Sequence, residues 1–154
     1  MAKRDPTTIA ENRRARYDYH IITTLEAGIQ LLGTEVKSMR DGGTSITEAH
    51  AGEKLGEIFL FNANVPVYKS SHQFNHEPKR PRRLLLKKKE ISKLIGEVKK
   101  DGMTIVPLKL YFNERNRVKV LLGVGRGKKN VDKRETIKQR DWERRKQKIV
   151  RDQS

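Results

Sequence analysis

The sequence contains no cysteine, which excludes disulfides and thiolate metal sites from any account of its folding or function. Aromatic residues are only 6% and apolar residues 34% of its 154 positions, so one modest core is possible and two full domains are not. No run approaches the ~18 consecutive apolar residues that a spanning helix needs. The opening, Met1-Ala2-Lys3-Arg4-Asp5-Pro6, is polar and lacks the apolar stretch of a secretory signal. Catalytic signatures are missing too: there is no nucleophile elbow, phosphate-binding loop or zinc-protease pattern. His72 and His76 stand four apart, but in an irregular stretch beside Pro78, and read as exposed loop histidines. The chain is expected to be cytoplasmic, to need no cofactor or metal and not to be an enzyme.

Positive charge is what the sequence has in excess. Thirty-five Lys and Arg against 19 Asp and Glu give a formal charge of +16. Such an excess repels itself in a compact chain and is usually kept because a polyanion binds. An anionic membrane surface calls for a basic amphipathic helix with a broad apolar face, or a lipidation signal. Neither is evident, so nucleic acid is the expected partner and a membrane is not.

Residues 1–16 read as a basic arm, 17–127 as the folded domain and 128–154 as a basic tail. Tyr17 to Leu25 alternates as a strand that Gly28 is expected to break. Ile29, Leu32, Val36 and Met39 then fall on one helical stripe, which Asp41-Gly42-Gly43 ends. Thr44–Ala51 and Glu57–Phe61 look like strands, and 66–83, with Pro66, Pro78 and Pro81, like a long irregular connection. Ile91, Leu94, Ile95 and Val98 mark a second helix. Thr104, Val106, Leu108, Leu110 and Phe112 alternate with Ile105, Pro107, Lys109 and Tyr111. After a turn, Val118, Val120, Leu122 and Val124 line one face of the next strand. About six short strands and two helices predict an α+β, mainly β, domain, with a small closed or partly closed barrel favoured over an open sheet. Residues 126–154 carry twelve Lys or Arg against five acids (12 − 5 = +7) and few large apolar residues. The tail is expected to be disordered when free and helical only on a partner.

The distribution of charge points to RNA. Lys109, Tyr111, Arg117 and Lys119 share the non-core side of the last hairpin, while Lys79, Arg80, Arg82 and Arg83 crowd the Pro-rich loop. Cations there can meet phosphates, and tyrosine or histidine can stack on unpaired bases. Arg126, Lys128 and Lys129 flank Gly123, Gly125 and Gly127, which let a backbone approach phosphates closely. A basic ribosomal protein or ribosome-assembly factor is the alternative reading.

Several segments together resemble the SsrA-binding protein (small protein B) family. These are Asn12-Arg13-Arg14-Ala15-Arg16-Tyr17-Asp18-Tyr19, Glu26-Ala27-Gly28-Ile29, Gly33-Thr34-Glu35-Val36-Lys37-Ser38-Met39-Arg40, Arg82-Arg83-Leu84-Leu85-Leu86 with Glu90-Ile91, and Arg126-Gly127-Lys128-Lys129 followed by Asp132-Lys133-Arg134. The resemblance runs from about residue 9 to 150. It implies an oligonucleotide-binding-type barrel with flanking helices. It also implies binding to the transfer-RNA-like domain of transfer-messenger RNA (tmRNA) and delivery of that RNA to stalled ribosomes for trans-translation. Glu26, Lys119 and one of Leu84–Leu86, taken as Leu85, fall at positions implicated in RNA binding. Asp132, Lys133, Arg134, Trp142, Ile149 and Val150 match a tail that enters the small-subunit decoding centre and the empty message channel. Val131 stands where relatives often carry a residue able to stack, and valine cannot. The free protein is expected to be a monomer.

Overall fold

The computed structural model describes residues 7–71 and 74–128. Within them the chain runs β1 (Thr8–Glu11), α1 (Ala15–Asp18), β2 (Tyr19–Ile29), α2 (Gly33–Asp41), β3 (His50–Lys54) and β4 (Glu57–Phe61). It continues through β5 (Arg82–Leu85), α3 (Lys88–Asp101), β6 (Thr104–Phe112) and β7 (Val118–Gly127). Every pairing is antiparallel, and the pairings form a cycle. β6 pairs with β7, β7 with β2, β2 with β5, β5 with β4, β4 with β3, and β3 returns to β6 where Ala51 faces Ile105. The α+β class and the closed, barrel-like sheet expected from the sequence are what the chain adopts. β1 covers the rest of the β6 edge, with Ala10 opposite Leu110 and Glu11 opposite Lys109.

The interior is filled by the alternating face of β7, where Val118, Val120, Leu122 and Val124 are all buried, together with Ile58, Leu60, Leu84, Ile105 and Leu110. Each such side chain contributes about 1.5–3 kcal/mol of burial. α3 adds Ile91 and Leu94 to this core. Its start is fixed by the Glu90 carboxylate, which accepts from the Lys87 backbone N–H at 3.0 Å, and its end by Gly102 at φ +64°.

Several expected boundaries are corrected. Thr8–Glu11 is a strand rather than part of a loose arm, because β6 offers it an open edge. Residues 15–18 form one helical turn, so the next strand starts at Tyr19, and Gly28 lies inside it, opposite both Lys119 and Leu85. Glycine suits that site because a Cβ would approach Leu85 Cβ to 3.1 Å. Ile29 therefore belongs to β2, not to the helix. The buried face of α2 is Glu35, Ser38 and Met39, and Leu32 remains 49% exposed. Of Thr44–Ala51 only the last two residues join β3, although Ser45 bridges to Asn64. In β6 the alternation shifts at Leu108, where a bulge between Pro107 and Lys109 adds a residue. Ile105 and Leu110 thus face the main core, while Val106 and Leu108 pack with Ala15 on a second, smaller cluster. Proline lacks the N–H that a regular ladder requires, which suits Pro107 to the bulge.

The connection between β4 and β5 is irregular, as expected, but anchored from beneath. Arg82 is not a loop cation open to phosphates: with none of its surface exposed, it donates through Nε to Glu35 Oε2, through Nη1 to the Ala63 carbonyl at 2.9 Å and through Nη2 to the Pro78 carbonyl at 3.0 Å. Arg80 donates to the other Glu35 oxygen. His76 is 4% exposed, not a surface histidine: its Nδ1 lies 3.0 Å from Thr34 Oγ1 and its Nε2 2.8 Å from the Val65 carbonyl. These bonds seat α2 and the loop against β5.

Candidate nucleic-acid interface

The registers of β5, β2, β7 and β6 decide which outward side chains become neighbours. One row of facing residues runs Leu85, Gly28, Lys119, Tyr111 across the four strands. The next runs Glu26, Leu121, Lys109 across β2, β7 and β6. Glu26, Leu85, Lys109, Tyr111 and Lys119 therefore share one outer patch, although they are up to 93 positions apart in sequence (119 − 26). Leu85 is 49% exposed, an apolar side chain left at the surface beside a glycine floor.

Two contacts organise the patch. The Tyr111 hydroxyl donates to Glu26 Oε2, reaching across β7. The Lys109 ammonium lies 5.5 Å from the centre of the Tyr111 ring. Partial burial, then the hydrogen bond and the charge of Glu26, push the Tyr111 hydroxyl up to about 12, so it is a donor throughout the physiological range. A groove of about 380 Å³ runs along one side, lined by Gly28, Leu31, Val36, Leu85, Arg117 and Lys119 among others. A second of about 490 Å³, bounded by Glu26, Tyr111 and Arg115, flanks the other. Such concave strips beside cations are what a phosphate backbone and a splayed base require.

Arg117 closes the adjoining turn, where the Asn113 carboxamide oxygen accepts from the N–H groups of Arg115 at 3.0 Å and Arg117 at 2.9 Å. Arg126 pairs with His20 at the far end of β7, on the order of 23 Å from Lys119 at ~3.3 Å per residue. Lys128 lies beyond it and donates to the Arg16 carbonyl at 3.0 Å. These two are separate from the patch. Lys129, Asp132, Lys133, Arg134, Trp142, Ile149 and Val150 lie outside the described residues.

Sequence reasoning missed Gly28 as the floor beside Leu85, and the Tyr111–Glu26 bond. The period-two pattern alone puts Glu26 and Gly28 on one side of β2, but nothing local announces which strand lies alongside. Among the described residues no group of three or more metal-ligating side chains converges, and no helix is long and apolar enough to cross a membrane.

The family model described as "SmpB protein" matches residues 9–152. The chain belongs to the SmpB family. An SsrA-binding protein of Nitrobacter hamburgensis is 59% identical over 143 residues, 93% of this chain and 91% of that relative. Another from a Bradyrhizobium strain is 57% identical over 151 residues, 97% and 96% of the two chains. A solved structure described as "tmRNA-SmpB: a journey to the center of the bacterial ribosome" holds a chain that is 50% identical. It covers 80% of this chain and 85% of its own, with a TM-score of 0.65. Residues 9–152 of the SmpB match take in every residue of the patch, so the same stretch that carries the family likeness builds this face.

Proposed function

We propose that this chain binds the transfer-RNA-like domain of tmRNA through the outer face of β5, β2, β7 and β6, and delivers that RNA to stalled ribosomes for trans-translation. The single observation that carries the reading is the convergence of Glu26, Leu85, Lys109, Tyr111 and Lys119 on one face. Relatives named for SsrA binding, and a neighbour described with tmRNA and the ribosome, support the choice of RNA. Lys109, Lys119 and Arg117 meet phosphates, Leu85 lies under a base or sugar, and the barrel serves as a rigid platform. Arg126, Lys128 and Lys129 extend the basic surface toward the tail. In the tail, residues 128–154, Asp132, Lys133 and Arg134 engage the decoding centre, and Trp142, Ile149 and Val150 engage the empty message channel. The protein acts in the cytoplasm as a monomeric binding protein, without a cofactor or a reaction of its own.

The test is twofold. Affinity for the tRNA-like domain should fall steeply with salt, and Lys119→Ala should reduce the log–log slope by about 0.7–0.9 for the one phosphate it releases. Affinity independent of salt refutes the phosphate reading. Deleting residues 131–154 should spare tmRNA binding and abolish tagging of stalled chains; loss of both refutes the division between body and tail.

A further inference from the structure

A carboxylate in the middle of a cationic RNA-binding face works against the phosphates that the face attracts. Among the described residues Glu26 makes no ion pair, although Lys109 and Lys119 are its close neighbours on the sheet. Its partner is the neutral hydroxyl of Tyr111, bonded to Oε2. Lys109, across β7 from Glu26, has its ammonium over the Tyr111 ring. Glu26 is thus held in place by a group that leaves its negative charge intact and, among the described residues, leaves Oε1 unoccupied.

We propose that Tyr111 is a positioning residue that holds Glu26 as a reader of base N–H donors, so that one face grips phosphates with its lysines and tests base identity with its carboxylate. The proposal rests on the reading that this face binds RNA, and adds the chemical class it selects. Phosphate and ribose-ring oxygens offer a carboxylate only acceptors. Exocyclic amino groups and ring N–H groups offer donors. Guanine is the best match, because its ring N–H and 2-amino group lie side by side and fit Oε1 together with the second lone pair of Oε2. In duplex RNA that edge is taken by pairing, so the nucleotide read is an unpaired one. Gly28 and Leu85 supply the flat apolar floor beside it, and Lys119 the cation for its phosphate. The arrangement is rigid for a physical reason. Tyr111 and Glu26 stand on β6 and β2, the two strands that flank β7, in a closed sheet whose β2–β7 and β6–β7 ladders run nearly their full length.

The test compares the full-length wild type with Tyr111→Phe, Glu26→Gln and Lys119→Ala. Each is titrated with the tRNA-like domain of tmRNA, with an unrelated stem-loop RNA of equal length, and with the tRNA-like domain transcribed with inosine in place of guanosine. Tyr111→Phe should weaken the tRNA-like domain about tenfold, as expected for one hydrogen bond to a charged group, and leave the unrelated RNA and the salt slope unchanged. Glu26→Gln should weaken the tRNA-like domain while tightening the unrelated RNA, because a repelling charge is gone. A role in folding alone does not produce those opposite signs. Inosine should weaken wild type and be almost without further effect on Glu26→Gln. Lys119→Ala should weaken both RNAs and lower the slope. Parallel losses on both RNAs for Tyr111→Phe, or no loss on either, overturn the proposal, as does an undiminished inosine effect in Glu26→Gln. Failure of the underlying function looks different: wild type itself then shows no preference for the tRNA-like domain.

Discussion

Replacing Arg82 by methionine is the most informative single perturbation of this fold. Arg82 and Glu35 both have side chains with 0% exposure, and Arg82 also holds the Ala63 and Pro78 carbonyls. Burial by itself disfavours the charged form of Glu35, but the hydrogen bond from Arg80, the Leu32 N–H and Arg82 outweigh it and hold its carboxyl below the usual range. Removing Arg82 strands that carboxylate in the interior with only Arg80 and one N–H, a change that costs about 3–5 kcal/mol. Against a total of ~5–15 kcal/mol this is a large fraction. At ~4 °C per kcal/mol it lowers Tm by roughly 12–20 °C. Thermal unfolding followed by circular dichroism at pH 7 reads it directly. The double variant Glu35→Met/Arg82→Met removes both charges and should recover most of the loss, since apolar replacement of a whole buried pair is close to neutral. The pH dependence follows the same pair. With its folded pKa depressed, Glu35 contributes stability that is fully present above its unfolded value of about 4.5 and is lost as pH falls through the folded value. A Tm shift below about 3 °C for Arg82→Met, or losses that simply add in the double variant, would refute the reasoning.

Two further outcomes follow from the same packing. Gly125→Ala should destabilise severely or prevent folding, because a Cβ there falls 2.0 Å from the His20 carbonyl oxygen; a soluble variant melting within about 2 °C of wild type would contradict this. Tyr111 keeps its proton to about 12 in the folded chain, against ~10 in the unfolded one, so its contribution is complete below pH 10 and is lost as pH rises through 12. Ultraviolet titration of wild type and Tyr111→Phe should show one tyrosine ionising late, and its absence from the difference spectrum would count against the Glu26 bond.

The parts of this architecture that the residues announced are those with local periodicity. The apolar side of β7, the buried Ile91 and Leu94 of α3 with its Gly102 stop, and the Leu110–Phe112 end of β6 all follow from spacing alone, whereas Val98 of the same helical stripe is exposed. The misread parts answer to partners distant in sequence. α2 buries Glu35 because Arg82, 47 residues later, lies beneath it. Thr8–Glu11 is a strand only because β6 leaves an edge free. Leu108 shows that a single inserted residue defeats an alternation argument in an otherwise regular strand. The candidate site divides the same way. Lys109, Tyr111 and Lys119 could be grouped from one hairpin, whereas bringing in Glu26 and Leu85 required the family resemblance, since strand order is not written in any local pattern.

The order of pairing also has a consequence for synthesis. β2 finds its long partner only in β7, and Ile29 precedes Val118 by 89 residues (118 − 29). At ~5–20 residues per second the edge of β2 emerges roughly 4–18 s before the strand that covers it. The β3–β4 hairpin can close at once on its neighbouring turn, but β1 and β2 must wait as open edges in a crowded cell. His20, Thr23, Thr24 and Glu26, all exposed in the finished fold, line that waiting strand with polar side chains. They thereby discourage premature association with other nascent chains long before any RNA is bound.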